Sequence, residues 1–310
     1  MPQSIDFHSH YYAPVWGGQS PAPAALARAW PLLTDLDAQF AALDGAGIAV
    51  KVLTAPGSVL VAPGAALPLD LMQRINDQFA ALVATYPQRL FALATIDAFA
   101  GEAALQEAER AIRTLGLHGL CIDCARGDLW LDAPAARPLF ELAAALGVTV
   151  FVHPVSPVAL TRRLSSLGHT GVLLARGTET AASLLAFLRS GLLDALPTLR
   201  VVLPMIGAAT LLFSGMADQE EGWQGTTPSL LRQRLYVDTM GFDPAMIRFA
   251  TQLLGVQHVV FGSDWPIMPL TPLARIESVL QAAGLTPDEQ QAVLHENAQQ
   301  LLTPLAPAAR

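Results

Sequence analysis

Two histidines, His8 and His10, stand two positions apart in Ile5-Asp6-Phe7-His8-Ser9-His10, at the end of a short apolar run. Side chains alternate faces along a strand, so residues i and i+2 point the same way and both imidazoles can reach one metal ion. Two further segments share this design. Phe151-Val152-His153-Pro154 and Phe261-Gly262-Ser263-Asp264-Trp265-Pro266 each place a metal-competent side chain at the last residues of a β-branched or aromatic run. Three imidazoles and one carboxylate suit a single divalent ion, zinc first and manganese or another ion after it, with room for a water. Each residue alone has an ordinary reading: a strand-end histidine can cap a carbonyl, and Ser263-Asp264-Trp265-Pro266 can be a plain turn.

These side chains need a frame that brings distant strand ends together. Strand-like runs fall at 4–8, 49–54, 90–96, 119–123, 149–153, 200–205, 235–239 and 258–262. Helical spacing fills the intervals at 35–46, 70–86, 101–115, 133–146, 178–190, 208–216, 244–254 and 273–283. Eight strands alternating with eight helices is the count of an α/β (β/α)8 barrel. Most strand runs are continuously apolar, as expected where both faces are buried. The competing doubly wound sheet lacks its phosphate loop, since no G-x-G-x-x-G follows the first strand. In a barrel, chemistry sits at the C-terminal strand ends. His8 and His10, His153 and Asp264 follow the first, fifth and eighth strands on this count.

The boundaries carry their own signals. Gly47, Gly116, Gly147 and Gly255 each close a helical pattern before a strand. Thr286-Pro287-Asp288-Glu289 reads as an N-cap, an initial proline and early acids, opening a ninth helix to about Leu302 that is expected to cover the barrel exterior. Residues 12–30 and 157–176 read as long loops suited to line a site or a neighbouring subunit, and a homodimer is one expectation. The chain is taken as one domain over 1–310, with 303–310 a frayed tail.

Composition excludes several function classes. The 310 residues are 52% hydrophobic and 14% charged, with net charge −8; mean hydropathy is +0.40 and the pI about 5.3. Such a chain buries a large core, and its acidity argues against nucleic acid or anionic membranes as partners. Lys51 is its only lysine. No uninterrupted apolar run of about 18 residues is present, and Met1-Pro2-Gln3-Ser4 offers no signal-peptide pattern; the expected location is the cytoplasm. Cys121 and Cys124 form a C-x-x-C, but positions i and i+3 of a strand face opposite ways, so no metal or redox role is assigned.

The chain resembles the amidohydrolase superfamily, in the branch of aminocarboxymuconate-semialdehyde decarboxylase and the resorcylate-type decarboxylases. The likeness rests on His8-Ser9-His10-Tyr11-Tyr12-Ala13-Pro14, Phe151-Val152-His153-Pro154 and Gly262-Ser263-Asp264-Trp265-Pro266, and extends to Glu179-Thr180, Val237-Asp238-Thr239 and Glu296-Asn297-Ala298. It implies a metal-dependent barrel with His8, His10, His153 and Asp264 as ligands. It also implies a single metal, because the fourth strand has no lysine to bridge two.

The departures concern activity. The branch has a catalytic histidine at the end of the sixth strand, where this chain has Met205. A thioether cannot take a proton, so Met205 is expected to form a soft pocket wall in place of the base. Arginines of the branch are replaced by Met216 and by Gln39. The expected substrate pocket therefore combines Gln39, Met205, Met216 and Trp265. Asp264 is the candidate proton carrier, with His169 a weaker one; His118, His258 and His295 receive no role. Asp238 stands either beside the ligands or as a surface hydrogen-bonding group. The function implied is non-oxidative decarboxylation of a small unsaturated or aromatic acid, and the expected partner is a small organic acid or a neutral analogue. Hydrolysis of an amide, lactone or C–C bond through Asp264 is the alternative, and a metal-binding barrel without turnover the third.

Overall fold

Eleven strands build the central sheet and one hairpin: β1 (Ile5–His10), β2 (Val50–Thr54), β3 (Leu90–Ala92), β4 (Ala94–Thr95), β5 (Gly119–Asp123), β6 (Ala125–Arg126), β7 (Leu129–Trp130), β8 (Thr149–His153), β9 (Arg200–Leu203), β10 (Leu235–Asp238) and β11 (Val259–Val260). The computed structural model describes residues 4–16, 27–219 and 225–305. Strands β3 and β4 form one barrel position interrupted at Leu93, whose N–H still reaches Leu53 O at 3.1 Å. The parallel order runs β1-β2-β3, then β4-β5-β8-β9-β10-β11. The ring closes where Phe7 N donates to Phe261 O and His10 N to Trp265 O, both at 2.8 Å. The fold is a (β/α)8 barrel. The antiparallel pair β6–β7 stands outside it.

Alternation sorts the side chains into two layers. Ile5, Phe7, Val52, Cys121, Phe151 and Val202 pack together inside the barrel, while Leu53, Ile122, Val201 and Leu203 join the helix-facing core. Cys121 and Cys124 are free, buried and divided between these two cores. Burial on both faces is why the strands read as unbroken apolar runs.

The C-terminal helix takes a different place from the one expected. Thr286 and Glu289 form a capping box; the helix then runs through a π segment (Ala292–Glu296) into Asn297–Leu302. Ala298, Leu301 and Leu302 enter the interior cluster. Thr149 Oγ1 and Arg200, at the first residues of β8 and β9, bond to the carbonyls of Leu301 and Gln300. The helix thus plugs the barrel floor rather than covering its exterior, leaving the opposite mouth for chemistry.

The expected loop at 157–176 is also corrected. It holds the helix Val158–Leu164, a 3-10 turn (Ser165–Leu167) and the helix Gly168–Arg189. A Cβ on Gly177 would stand 2.4 Å from Ile206 O, so the missing side chain lets this helix pack closely. By length and composition the run Val158–Arg189 could cross a membrane, yet half of its most apolar window is buried, with Leu184, Phe187 and Leu188 in the core. Of the other expected loop, 17–26 lies outside the described residues, as does 306–310 of the expected tail.

Candidate metal centre

β1 and β8 deliver three histidines to one point at the barrel mouth. One ring nitrogen from each of His8, His10 and His153 lies within 4.8 Å of the others, and all three residues are buried. His8 Nδ1 is 2.5 Å from Asp238 Oδ2, at the end of β10. His10 Nδ1 is 2.8 Å from Thr54 Oγ1, whose hydroxyl donates to Ser9 O and so must accept from the ring. Each bond fixes the proton on Nδ1 and leaves Nε2 as a lone pair.

Both lone pairs face the same carboxylate. Asp264 Oδ1 lies 3.0 Å from His10 Nε2 and 3.4 Å from His8 Nε2. Acceptors so placed repel unless a positive charge lies between them. Ligands about 2.1 Å from one ion at angles of about 90–110° stand roughly 3.0–3.4 Å apart. His8 Nε2 and His153 Nδ1 are, moreover, buried without a hydrogen-bond partner. The residues present therefore fit one divalent ion. The two carboxylates call for positive charge at this point: burial alone would push His8 down, but Asp238 and Asp264 outweigh it and raise it to about 10. Burial lowers His10 and, further, His153. Burial also works to raise Asp264, but its contacts with His10 and His8 hold it far below the usual carboxylate range.

The loop after β11 is shaped for this task. Asp264 has φ of +58°, the left-handed region that non-glycine residues seldom occupy. Its N–H donates to His8 O at 2.8 Å, and Ser263 donates through N and Oγ to buried Asp6. Gly262 lets the ligands approach: a Cβ there would lie 2.8 Å from both His8 Cβ and Asp238 Cβ.

A cavity of about 760 Å³ opens beside His153, walled by the loops after β2, β4 and β8, the β6–β7 hairpin and the helix Gly168–Arg189. Two wall residues reach the metal group. Asp123 Oδ1 lies 3.9 Å from His153 Nδ1, and Arg176 Nη2 lies 3.5 Å from His153 Nε2. Asp123 accepts the N–H and Oγ–H of Ser58, both at 2.7 Å, and burial pushes its carboxyl up to about 6. Arg126 pairs with Asp97 at 2.7 Å. Leu67, Phe99, Trp130 and Val155 supply apolar surface.

His8, His10, His153 and Asp264 thus stand together. Neither these four nor Gln39, Met205, Met216, Trp265 and His169 line the cavity itself. Gln39 is fully buried behind β1 and β2, where it bonds Lys51 Nζ, His10 O and Leu32 O; it supports a ligand's backbone instead of meeting substrate. Met216 is 62% exposed on the outer face of the helix Ala209–Ala217. Met205 packs in the helix-facing core, and Trp265 is buried beneath Lys51 Nζ, 5.3 Å from its ring. His169 is exposed at the start of its helix. Sequence reasoning missed Thr54, Asp123 and Arg176. The last lay in the stretch read as loop.

Comparison with known proteins agrees with this architecture. The sequence profile of the amidohydrolase family matches residues 5–303. The chain is 28% identical over 256 residues to a gamma-resorcylate decarboxylase of Rhizobium radiobacter, covering 76% of this chain and 78% of that protein. It is 28% identical over 228 residues to a 2-amino-3-carboxymuconate-6-semialdehyde decarboxylase of Dictyostelium discoideum, covering 70% of this chain and 63% of that one. A dihydroxybenzoic acid decarboxylase of Polaromonas sp. JS666, solved with bound manganese and the inhibitor 2-nitroresorcinol, superposes with a TM-score of 0.79 at 24% identity, covering 97% of each chain.

Proposed function

The chain belongs to the amidohydrolase family, and from that premise we propose that it is a metal-dependent, non-oxidative decarboxylase of a small aromatic acid. The observation that carries this reading is the pair of imidazoles facing Asp264 Oδ1, beside a cavity large enough for a small aromatic acid. The decarboxylases among the relatives support the reaction class. His8, His10, His153 and Asp264 would hold one divalent ion. The donor set, rich in imidazole, favours zinc; manganese is the ion in the Polaromonas structure.

A bound ion would supply Lewis acidity toward an oxygen of the substrate. The chain's own residues do the rest. Asp238 and Thr54 hold His8 and His10 in the tautomer that leaves Nε2 free. Leu67, Phe99 and Val155 exclude water from the ring. In the reaction the bond between the ring carbon and the carboxylate breaks, CO2 leaves, and a proton takes its place on that carbon. Asp264, held as a carboxylate between His8 and His10, is assigned to relay that proton from water or the substrate's hydroxyl to the carbon rather than to store it. Met205 has no group to share the task.

The exposed apolar side chains Leu212, Phe213 and Met216, with Leu230 on the neighbouring helix Pro228–Leu231, support a homodimer through this face. Light scattering on wild type and on Phe213→Glu tests it; a monomeric wild type refutes it.

The deciding experiment for function loads the purified protein with zinc or manganese and offers 2,6-dihydroxybenzoate, 6-methylsalicylate and 5-carboxyvanillate. Release of CO2 with the matching phenol supports the proposal. Hydrolysis of amide or lactone probes without CO2 release would favour the hydrolase reading. Bound metal with no turnover of any probe would leave a binding barrel.

A further inference from the structure

Of the two arginines in the cavity wall, Arg126 is engaged by Asp97 Oδ2 and Phe99 O. Arg176 makes no ion pair among the described residues, and the one hydrogen-bonding contact of its guanidinium is the 3.5 Å approach to His153 Nε2. The backbone that carries it is held in place. Its helix packs tightly against Ile206 through Gly177, and Thr180 Oγ1 returns a bond to Arg176 O at 2.8 Å.

A fixed cation beside a metal-binding imidazole is unfavourable unless an anion joins the two. Asp123 is the nearest wall carboxylate to His153, but Ser58 occupies both its oxygens. Glu179, one turn along the same helix, accepts from Trp130 Nε1 at 2.8 Å. None of the carboxylates in the cavity wall forms an ion pair with Arg176 among the described residues.

We infer that Arg176 is the anchor for the substrate's carboxylate, and so the residue that makes the cavity selective for aryl acids over neutral analogues. The inference rests on the proposed function. The guanidinium fork matches a carboxylate with two parallel donors, and Leu67, Phe99, Trp130 and Val155 receive the ring. The sequence reading, with Met216 and Gln39 standing where arginines of the branch would, pointed to a neutral pocket. The structure supplies the charge from a helix after the fifth barrel strand instead. Because the anchor holds ground state and transition state alike, its loss should raise KM more than it lowers kcat.

The test measures calorimetric binding of 2,6-dihydroxybenzoate and of 2,6-dihydroxybenzamide to wild type, Arg176→Gln and Arg176→Lys, each manganese-loaded and metal-free, with metal content and circular dichroism checked. R176Q should bind the acid about 10-fold more weakly or worse, loaded or not, with the amide unchanged. R176K should fall between, since an ammonium lacks the fork. The inference is overturned if R176Q keeps the acid within about twofold, if acid and amide weaken equally, or if the variant loses its metal while folded. Should R176Q fail to fold, R176K decides by the same acid-to-amide ratio. A wild type that binds none of the aryl acids in the function panel overturns the decarboxylase reading and this inference together. A wild type that releases CO2 while R176Q binds the acid normally overturns this inference alone.

Discussion

Asp238 divides its two carboxylate oxygens between His8 of the metal-binding group and the backbone of Met205. Oδ2 meets His8 Nδ1 at 2.5 Å, while Oδ1 accepts the backbone N–H of Met205 at 2.8 Å and that of Met240 at 3.0 Å. One buried side chain therefore orients the first ligand strand and pins the turn after β9. The position tolerates a methionine side chain because only its backbone is bound.

Asp238→Asn should weaken metal binding by about 10- to 100-fold without unfolding the barrel, because the amide supports the His8 tautomer less well. His8→Ala or Asp264→Asn should instead abolish stoichiometric binding. Metal analysis after dialysis against a graded chelator separates the two outcomes. Full metal retention in a His8/His10 double alanine variant would remove the proposed centre.

Gly262→Ala should damage the site from behind. The added Cβ would stand 2.8 Å from both His8 Cβ and Asp238 Cβ, so the two strands must part. Overpacking of this kind costs about 1–3 kcal/mol, and here it also moves a ligand. A lower Tm together with reduced metal affinity is expected; a lower Tm with unchanged affinity would mean the strands yield elsewhere.

The barrel and the ligands were legible in the sequence for one reason: buried parallel strands are continuous apolar runs, and His8, His10, His153 and Asp264 end three of them or follow closely. What stayed hidden depends on which face a residue takes. Gln39 is polar and lies near the first strand's end in space, yet its helix points it behind the sheet to Lys51. Arg176 was lost because the stretch 157–176 read as a long loop, although the helix Gly168–Arg189 begins within it. Asp238 could not be told from a surface carboxylate, since its partner lies 230 positions away in the chain.

The barrel floor should show its own pH dependence. His118 packs edge-on against Phe91 with centroids 4.7 Å apart, and burial lowers its pKa below the usual histidine value. The unfolded chain then binds more protons than the folded one between that lowered value and about 6.5, so stability rises with pH through this window and is lost as pH falls. Denaturant unfolding of metal-free protein at several pH values between about 5 and 7.5 should give a shallower slope for His118→Asn than for wild type. Equal slopes would assign the acid sensitivity to other groups.

Met205→His tests whether a base can be introduced at the end of this strand by one change. Met205 is 8% exposed, packs with the helix-facing core and does not line the cavity. An imidazole placed there would exchange a flexible thioether for a polar ring lacking an evident partner, at a cost of about 1–3 kcal/mol. The expected result is lower stability, with no gain in turnover of aryl acids and no new group titrating near pH 6–7 in the rate profile. If turnover rises instead, with such a group in the profile, the Met205 side chain faces the substrate and the assignment of the proton to Asp264 must be given up. Comparison with Met205→Leu, which keeps volume without adding a base, separates loss through packing from loss through chemistry.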